Sequence, residues 1–298
     1  MDSNVSIKLV RLSDNAEFLI DNTVWVIPSD GLEGFGDSEV TVNEDSLLYQ
    51  DGTVLMSTKM EAKDRIVKCY AMDVSTNENL RDLALKFFHV KEEYKLIIEY
   101  MGHQRWCKGI MTHAKLSEGN IYRPVELMFN LHCFSPYFYS MHDYGQNIFG
   151  LAPMCAFPYH SVAEWRGHPC GMLSGDREIV INNSGDIDIG PHLIIEFLTD
   201  WHIYITIDLW NGSWVYYSHY FDHGDKFHKG DVLDLDFSTV PPKITKNGEN
   251  DLKHSLSLDG ILDVKFKKGK NTLRLTSNGS LQGVARATLY YNECYYMM

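Results

Sequence analysis

Leu127-Met-Phe-Asn-Leu-His-Cys-Phe-Ser-Pro-Tyr-Phe-Tyr-Ser140 is the stretch on which the reading of the fold turns. It begins as a strand. Leu127, Phe129 and Leu131 alternate with Met128, Asn130 and His132, giving one apolar face and one mixed face. Ser135-Pro136 then stops the ladder, because proline lacks an amide donor and holds the residue before it extended. Tyr137, Phe138 and Tyr139 follow at once. They are too apolar for a free linker and read as a plug that packs one domain while the chain leaves it. Upstream, a helix sits among strands; downstream, only strands are expected. The seam is placed just after this stretch.

Working back from it, Lys95 to Met101, Arg105 to His113 and Ile121 to His132 read as strands, with turns at Gly102-His103 and Glu118-Gly-Asn120. The convincing helix lies before them. Ser75 and Glu78 have capping-box spacing, and Leu80, Leu83, Ala84, Phe87 and Phe88 share one helical face, with Arg81, Asp82 and Lys86 opposite. Arg65 to Met72 is a strand, and Val5 to Val10 with Glu17 to Ile27 are two more around the turn Ser13-Asp-Asn15. Leu47 to Ser57 reads as a hairpin turning at Asp51-Gly52. The expectation for residues 1–140 is therefore an α+β domain, an antiparallel sheet with one packed helix.

Pro28 to Asp45 stands apart. It holds Gly31, Gly34 and Gly36 and the acids Glu33, Asp37, Glu39, Glu44 and Asp45, with no Lys or Arg. By composition this is an acidic loop or arm. Its bland reading is a solvated surface loop.

Beyond the seam, residues 141–174 carry Gly, Pro and aromatics without a period and are read as a junction. Residues 175–298 hold short strands at regular spacing, among them His192 to Leu198, His202 to Leu209, Trp214 to Phe221, Asp231 to Phe237 and Val284 to Tyr291. Turn chemistry separates them, as at Asn183-Ser-Gly-Asp186 and Asn247-Gly248. That pattern predicts an antiparallel β-sandwich, and the whole chain a mainly β protein.

With 298 residues, two domains are comfortable. No apolar run approaches the ~20 residues of a membrane span. Met1-Asp-Ser-Asn-Val-Ser lacks the basic start and apolar core of a signal peptide, so a reducing cytoplasm is the expected place of synthesis or assembly. Six scattered cysteines without a Cys-x-x-Cys pair suggest neither a zinc ribbon nor a disulfide framework. A formal net charge of −13 argues against a surface that grips nucleic acid by neutralising phosphates.

The search for chemistry returns little. There is no Walker loop, no His-Glu-x-x-His and no Gly-x-Ser-x-Gly elbow. His219, His223 and His228, with Asp222 and Asp225, have loose metal-ligand spacing. Asp234 with Asp236, and Asp186 with Asp188, are the carboxylate pairs that acid–base work would need; solvent-facing strand residues are their plainer reading. Trp201, Trp210, Trp214, Tyr216 and Tyr217 are candidates for stacking on a ligand, against a plainer role in core packing. No catalytic site, no cofactor and no metal are expected.

The order of parts resembles the distal tail proteins of long-tailed bacteriophages. The resemblance rests on Cys133-Phe-Ser-Pro-Tyr-Phe-Tyr139 closing the first domain and on the helix phrase Asn79-Leu-Arg-Asp-Leu-Ala-Leu85. It continues through Ile181-Asn-Asn-Ser-Gly-Asp186 running to Pro191-His-Leu-Ile-Ile195, Gly230-Asp-Val-Leu-Asp-Leu-Asp236 and Lys268-Gly-Lys-Asn-Thr-Leu-Arg-Leu275. It implies a hexameric ring formed by the N-terminal domains, seated between the tail tube protein and the central hub or tail fibre protein. It further implies a galectin-like outer domain, which in some relatives holds receptor-binding or peripheral baseplate proteins. The place implied is the virion tail tip, with DNA only passing through the channel and no membrane. On that reading Glu33, Asp37, Glu39, Glu44 and Asp45 are candidates to line the channel, and Trp210, Trp214, His219, His223 and His228 candidates for peripheral contact. The alternative is a carbohydrate-binding sandwich in host-surface recognition.

Overall fold

The computed structural model describes residues 5–46, 51–73, 77–118, 123–141, 144–149, 151–153, 171–173, 178–200, 205–210, 214–219, 227–239, 241–248, 250–251, 264–277 and 285–298. The protein is mainly β and divides into two compact units, Met1–Met141 with Cys294–Met298, and His142–Glu293.

In the first unit the strands are Ser6–Arg11 (β1), Glu17–Ile20 (β2), Trp25–Val26 (β3), Leu32–Glu33 (β4), Thr41–Ser46 (β5), Thr53–Lys59 (β6) and Lys63–Ala71 (β7). The helix Asn77–Phe87 (α1) follows, then Glu93–Tyr100 (β8), His103–Leu116 (β9), Glu126–Cys133 (β10) and Phe138–Ser140 (β11). The main sheet runs β2-β1-β8-β9-β10-β7-β3, its neighbours antiparallel. Strand periodicity decides which side chains face inward. Ile7 and Leu9, Tyr94, Leu96 and Ile98, and Leu127, Phe129 and Leu131 are all 2% exposed or less. Burying each such aliphatic or Phe side chain contributes roughly 1.5–3 kcal/mol.

Helix α1 covers this core through Ala84 and Phe87, with Leu80 and Phe88 partly buried beside them. The Phe88 ring lies 4.9 Å from that of Phe18 and 5.2 Å from that of Phe129. Leu83, expected on the same stripe, is 52% exposed. One residue of helix is a turn of about 100°, so Leu83 stands off the Ala84 line and the covering face is narrower than the sequence suggested. Arg81, expected outward, is half-buried. The helix ends where Arg11 donates from Nη1 to the carbonyls of Phe87 at 2.8 Å and Lys86 at 3.2 Å, and the Tyr94 hydroxyl donates to Phe87 O at 2.9 Å. These donors satisfy carbonyls that the last turn leaves open.

The deciding stretch differs from its reading in one respect. Strand β10 ends at Cys133, but the ladder resumes beyond Pro136: β11 pairs with β9 through Tyr139↔Trp106 and Ser140↔Arg105. Its other partner is the terminal strand Cys294–Tyr295, paired as Phe138↔Tyr295 and Tyr139↔Cys294. Residues counted with the sandwich by sequence thus belong to the first unit. Of the expected plug, Phe138 is fully buried, whereas Tyr139 stacks on Trp106 at 4.8 Å and Tyr137 meets Tyr296 edge-on at 5.9 Å.

In the second unit the strands are Tyr144–Phe149 (β12), Leu151–Pro153 (β13), Gly171–Leu173 (β14), Glu178–Asn183 (β15), His192–Phe197 (β16), Ile205–Trp210 (β17), Trp214–His219 (β18), Val232–Asp236 (β19), Lys243–Lys246 (β20), Asn250–Asp251 (β21), Gly269–Ser277 (β22) and Ala285–Tyr291 (β23). One sheet runs β12-β23-β16-β19-β20-β21 and another β15-β22-β17-β18. Leu193, Ile195, Leu233, Leu235, Ala287 and Leu289 of the first sheet are buried, as are Ile181, Ile207, Leu209, Leu273 and Leu275 of the second. Each sheet thus has one apolar inner face, the arrangement of a β-sandwich. Strand β12 pairs with β23, so a segment read as junction supplies a strand of this unit. Gly190 is required where it sits, since a Cβ there would lie 1.9 Å from Phe237 O. Among the described residues no helix is long and apolar enough to cross a membrane.

Candidate assembly surfaces

The acidic segment splits into two parts with different physics. Its first part is laid on strand β7. Leu32 and Glu33 pair with Val67 and Ile66, Lys68 N donates to Gly31 O at 2.7 Å, and Phe35 is 5% exposed. Gly34 has φ +81° and lies where a Cβ would come within 2.3 Å of Asp64 O, so only glycine fits. Here the carboxylates find bases that the local sequence lacks: Glu33 pairs with Lys68 at 2.5 Å and Asp37 with Lys63 at 3.1 Å.

The second part is strand β5, which pairs with β6 and with no other strand among the described residues. The expected hairpin exists, but its partners differ from the reading. Ser46 pairs with Thr53, so Asp51-Gly52 closes a longer loop rather than a two-residue turn. Both described strands are exposed at every position. Val42, Val54, Leu55 and Met56 are 51%, 44%, 61% and 66% exposed. Glu44 accepts from the Thr53 hydroxyl and Asp45 from the Ser46 amide at 2.9 Å, while Glu39 is exposed. Glu39, Glu44 and Asp45 have no basic partner among the described residues.

The five candidate peripheral residues do not form one cluster. Trp210 and Trp214 face each other in register across β17–β18, and Trp210 is 42% exposed. His219 lies at the far end of that pair, opposite Ile205. His228 is exposed in the turn before β19, its Nδ1 3.5 Å from Asp200. His223 lies outside the described residues, as do Asp222, Asp225 and Trp201. The carboxylates considered for acid–base work have structural partners. Asp234 lies 2.7 Å from His192 Nε2, Asp236 accepts from the Ser238 amide at 2.9 Å, and Asp186 pairs with Lys268 at 3.1 Å. Among the described residues no group of His, Cys, Asp or Glu is placed to hold a metal ion. A cavity of about 260 Å³ on the first unit is lined by Asp30, Lys68, Lys115 and Glu126, among others.

Sequence reasoning missed a buried arginine, Arg65, at 0% exposure in the middle of β7. It also missed the return of the C-terminus to the first sheet. The alternation of Lys63, Arg65, Val67 and Cys69 carried the signal for the first; nothing local marked the second.

No protein-family profile and no curated protein sequence matches this chain. Solved structures do. The crystal structure of the SPP1 Dit (gp 19.1) protein matches over 97% of this chain and 98% of that one, with TM-score 0.61 and 12% identity; it is described as a paradigm of hub adsorption apparatus in Gram-positive-infecting phages. This chain has the Dit fold. The phage P2 baseplate in its activated conformation also matches, with Ca at TM-score 0.47, 12% identity and full coverage of both chains, and with Sr at 0.48, 11% and 99% of both. The Dit fold accounts for the order seen here, a helix-bearing antiparallel sheet before a sandwich, and for the mainly β character read from the sequence.

Proposed function

We propose that this chain is a structural component of a phage tail tip or baseplate. The observation that carries the reading is the match of both units, in order, to the SPP1 Dit fold over nearly the whole chain. In the proposed assembly, copies of the first unit close into a hexameric ring between the tail tube protein and the hub or tail fibre protein. The second unit projects as an attachment platform for peripheral or receptor-binding proteins. The ring assembles in the host bacterial cytoplasm and takes its place at the virion tail tip. The chain works by binding and shape, without catalysis or a cofactor.

Two features support an assembly role. The β5–β6 hairpin exposes four large apolar side chains, which a lone soluble unit gains nothing by displaying. Glu39, Glu44 and Asp45 on that same segment keep uncompensated charge. Around a ring axis such charge repels phosphates within about 8–10 Å of the wall and lets DNA pass without sticking. Glu33 and Asp37 contribute less to this, because Lys68 and Lys63 offset them.

Electron microscopy of the full-length protein, alone and mixed with tube protein, tests the proposal. Closed rings are the expected result. A protein that stays monomeric in both conditions and shows a saturable sugar site would overturn it in favour of a lectin. A fragment ending near Ser140 is a poor substitute, since it lacks the Cys294–Tyr295 strand that pairs with β11.

A further inference from the structure

The first unit buries an arginine beside two thiols. Arg65 is 0% exposed, its guanidinium carbon 3.6 Å from the centre of the Phe138 ring, and its Nη2 donates to Pro136 O at 2.9 Å. Its Nε and Nη1 are buried without a hydrogen-bond partner. Cys107 on β9 is 1% exposed and Cys133 on β10 is 0% exposed, and their sulfurs are 3.9 Å apart. A guanidinium stays protonated in a protein, and a buried charge needs a counter-charge. Neighbouring carboxylates do not supply it. Asp64 sits on the opposite face of β7 and is engaged by His132 at 2.7 Å, and Lys63 is engaged by Asp37. The Tyr139 phenol is held neutral, pushed up by burial, and hydrogen-bonds Ser135. Cys294 is a further buried thiol near Tyr139.

We propose that Arg65, Cys107 and Cys133 form a buried ion-pair site in which Cys107 is a thiolate, countering the guanidinium and accepting the S–H of Cys133. The proton balance is simple: on folding at neutral pH the Cys107 thiol releases its proton to solvent, and Cys133 keeps its own. The titration directions agree. Burial alone pushes the Cys69 thiol up to about 12. Burial also pushes Cys107 up, but donation by Cys133 and the Arg65 charge outweigh it and bring that thiol below its ordinary value. Cys133 moves the other way, raised by its bond to Cys107 and by burial. The site is thus a soft anion inside a sheet, not a pair of inert hydrophobes.

Raman spectroscopy of the S–H stretch tests this on the unmodified full-length protein, since it counts protonated thiols directly. The native protein at neutral pH should show one S–H fewer than the same chain unfolded in acid. An equal count would overturn the proposal. Cys107→Ser should abolish the difference between native and unfolded samples. Arg65→Met should restore the missing S–H in the native state, whereas Arg65→Lys, which keeps a charge, should retain at least part of the deficit. A deficit that persists in folded Cys107→Ser would place the thiolate elsewhere and overturn the assignment. Where a variant does not fold, the native-versus-unfolded count of the parent protein still decides.

Discussion

Strand β10 and the hairpin β5–β6 use similar residues and put them in opposite places. In β10, Leu127, Phe129 and Leu131 are shut away under helix α1 and the neighbouring strands. In the hairpin, Val42, Val54, Leu55 and Met56 lie open to water. The difference is not propensity, because both segments favour extended chain. It is the presence of a second layer. A strand buries its apolar face only where another element covers it, and an isolated two-stranded hairpin is marginal in water. The hairpin is therefore the place where this fold waits for a partner, and β10 the place where it has already found one.

The sharpest way to break that comparison is at Phe129. Phe129→Ala should lower unfolding stability of the first unit by about 3–5 kcal/mol, through lost burial and a residual cavity. Chemical denaturation of the full chain should show it, and a loss below about 1 kcal/mol would mean that β10 is not the core this contrast requires.

Asp231 offers a second contrast, between a sheltered acid and the solvated ones of the hairpin. Burial pushes it up, but Lys246, Asn247 and the His228 amide bring it down to about 2. The Asp231–Lys246 pair spans 2.8 Å. A carboxylate whose folded value is depressed stabilises above its unfolded range, near 3.9, and loses that contribution as pH falls toward the folded value. Asp231→Asn should cost roughly 1–2 kcal/mol at neutral pH, and parent and variant should converge in stability as pH falls from about 4 to about 2. Parallel curves across that window would remove the pair as the cause.

Lys68→Met tests the solvated end. The Glu33–Lys68 pair is substantially exposed on both sides, so its loss should change stability by less than about 1 kcal/mol, and less at high salt. A larger cost would show that the first part of the acidic segment depends on charge rather than on its strand pairing.

The smallest stability effect belongs to the hairpin, with the largest effect on assembly. Leu55→Ser with Met56→Ser should leave unfolding within about 0.5 kcal/mol of the parent, as surface changes do. Ring formation, followed by sedimentation or microscopy, should be lost or sharply weakened. Intact rings would mean that the hairpin is not where copies meet.

How much of this was legible in the chain varies by element. Period-2 alternation named Leu127, Phe129 and Leu131 as core, and the turn residues spaced the sandwich strands well, because both signals are local. The helix was legible too, though Leu83 was placed on the wrong side by a stripe drawn one residue too wide. The candidate site was less so. Glu33 and Asp37 read as uncompensated because Lys68 and Lys63 come from a strand that only sheet pairing brings alongside. Trp210, Trp214, His219 and His228 read as one outer surface because they are near in sequence, yet strand pairing spreads them apart.

What the sequence by itself determined is the alternation that makes each strand two-faced, the helix that covers the first sheet, the strand-only second half and the acidic balance of the whole. These follow from side-chain chemistry repeating at fixed short spacing. What only the tertiary structure decided is the company each residue keeps. Cys294–Tyr295 closes on β11, more than 150 residues upstream in the sequence. Arg65 sits beneath Phe138 and beside Cys107 and Cys133, and the β5–β6 hairpin is left without a covering layer. Pairing partners, burial of a charge and the lack of a second layer are properties of distant segments brought together, and no local pattern encodes them.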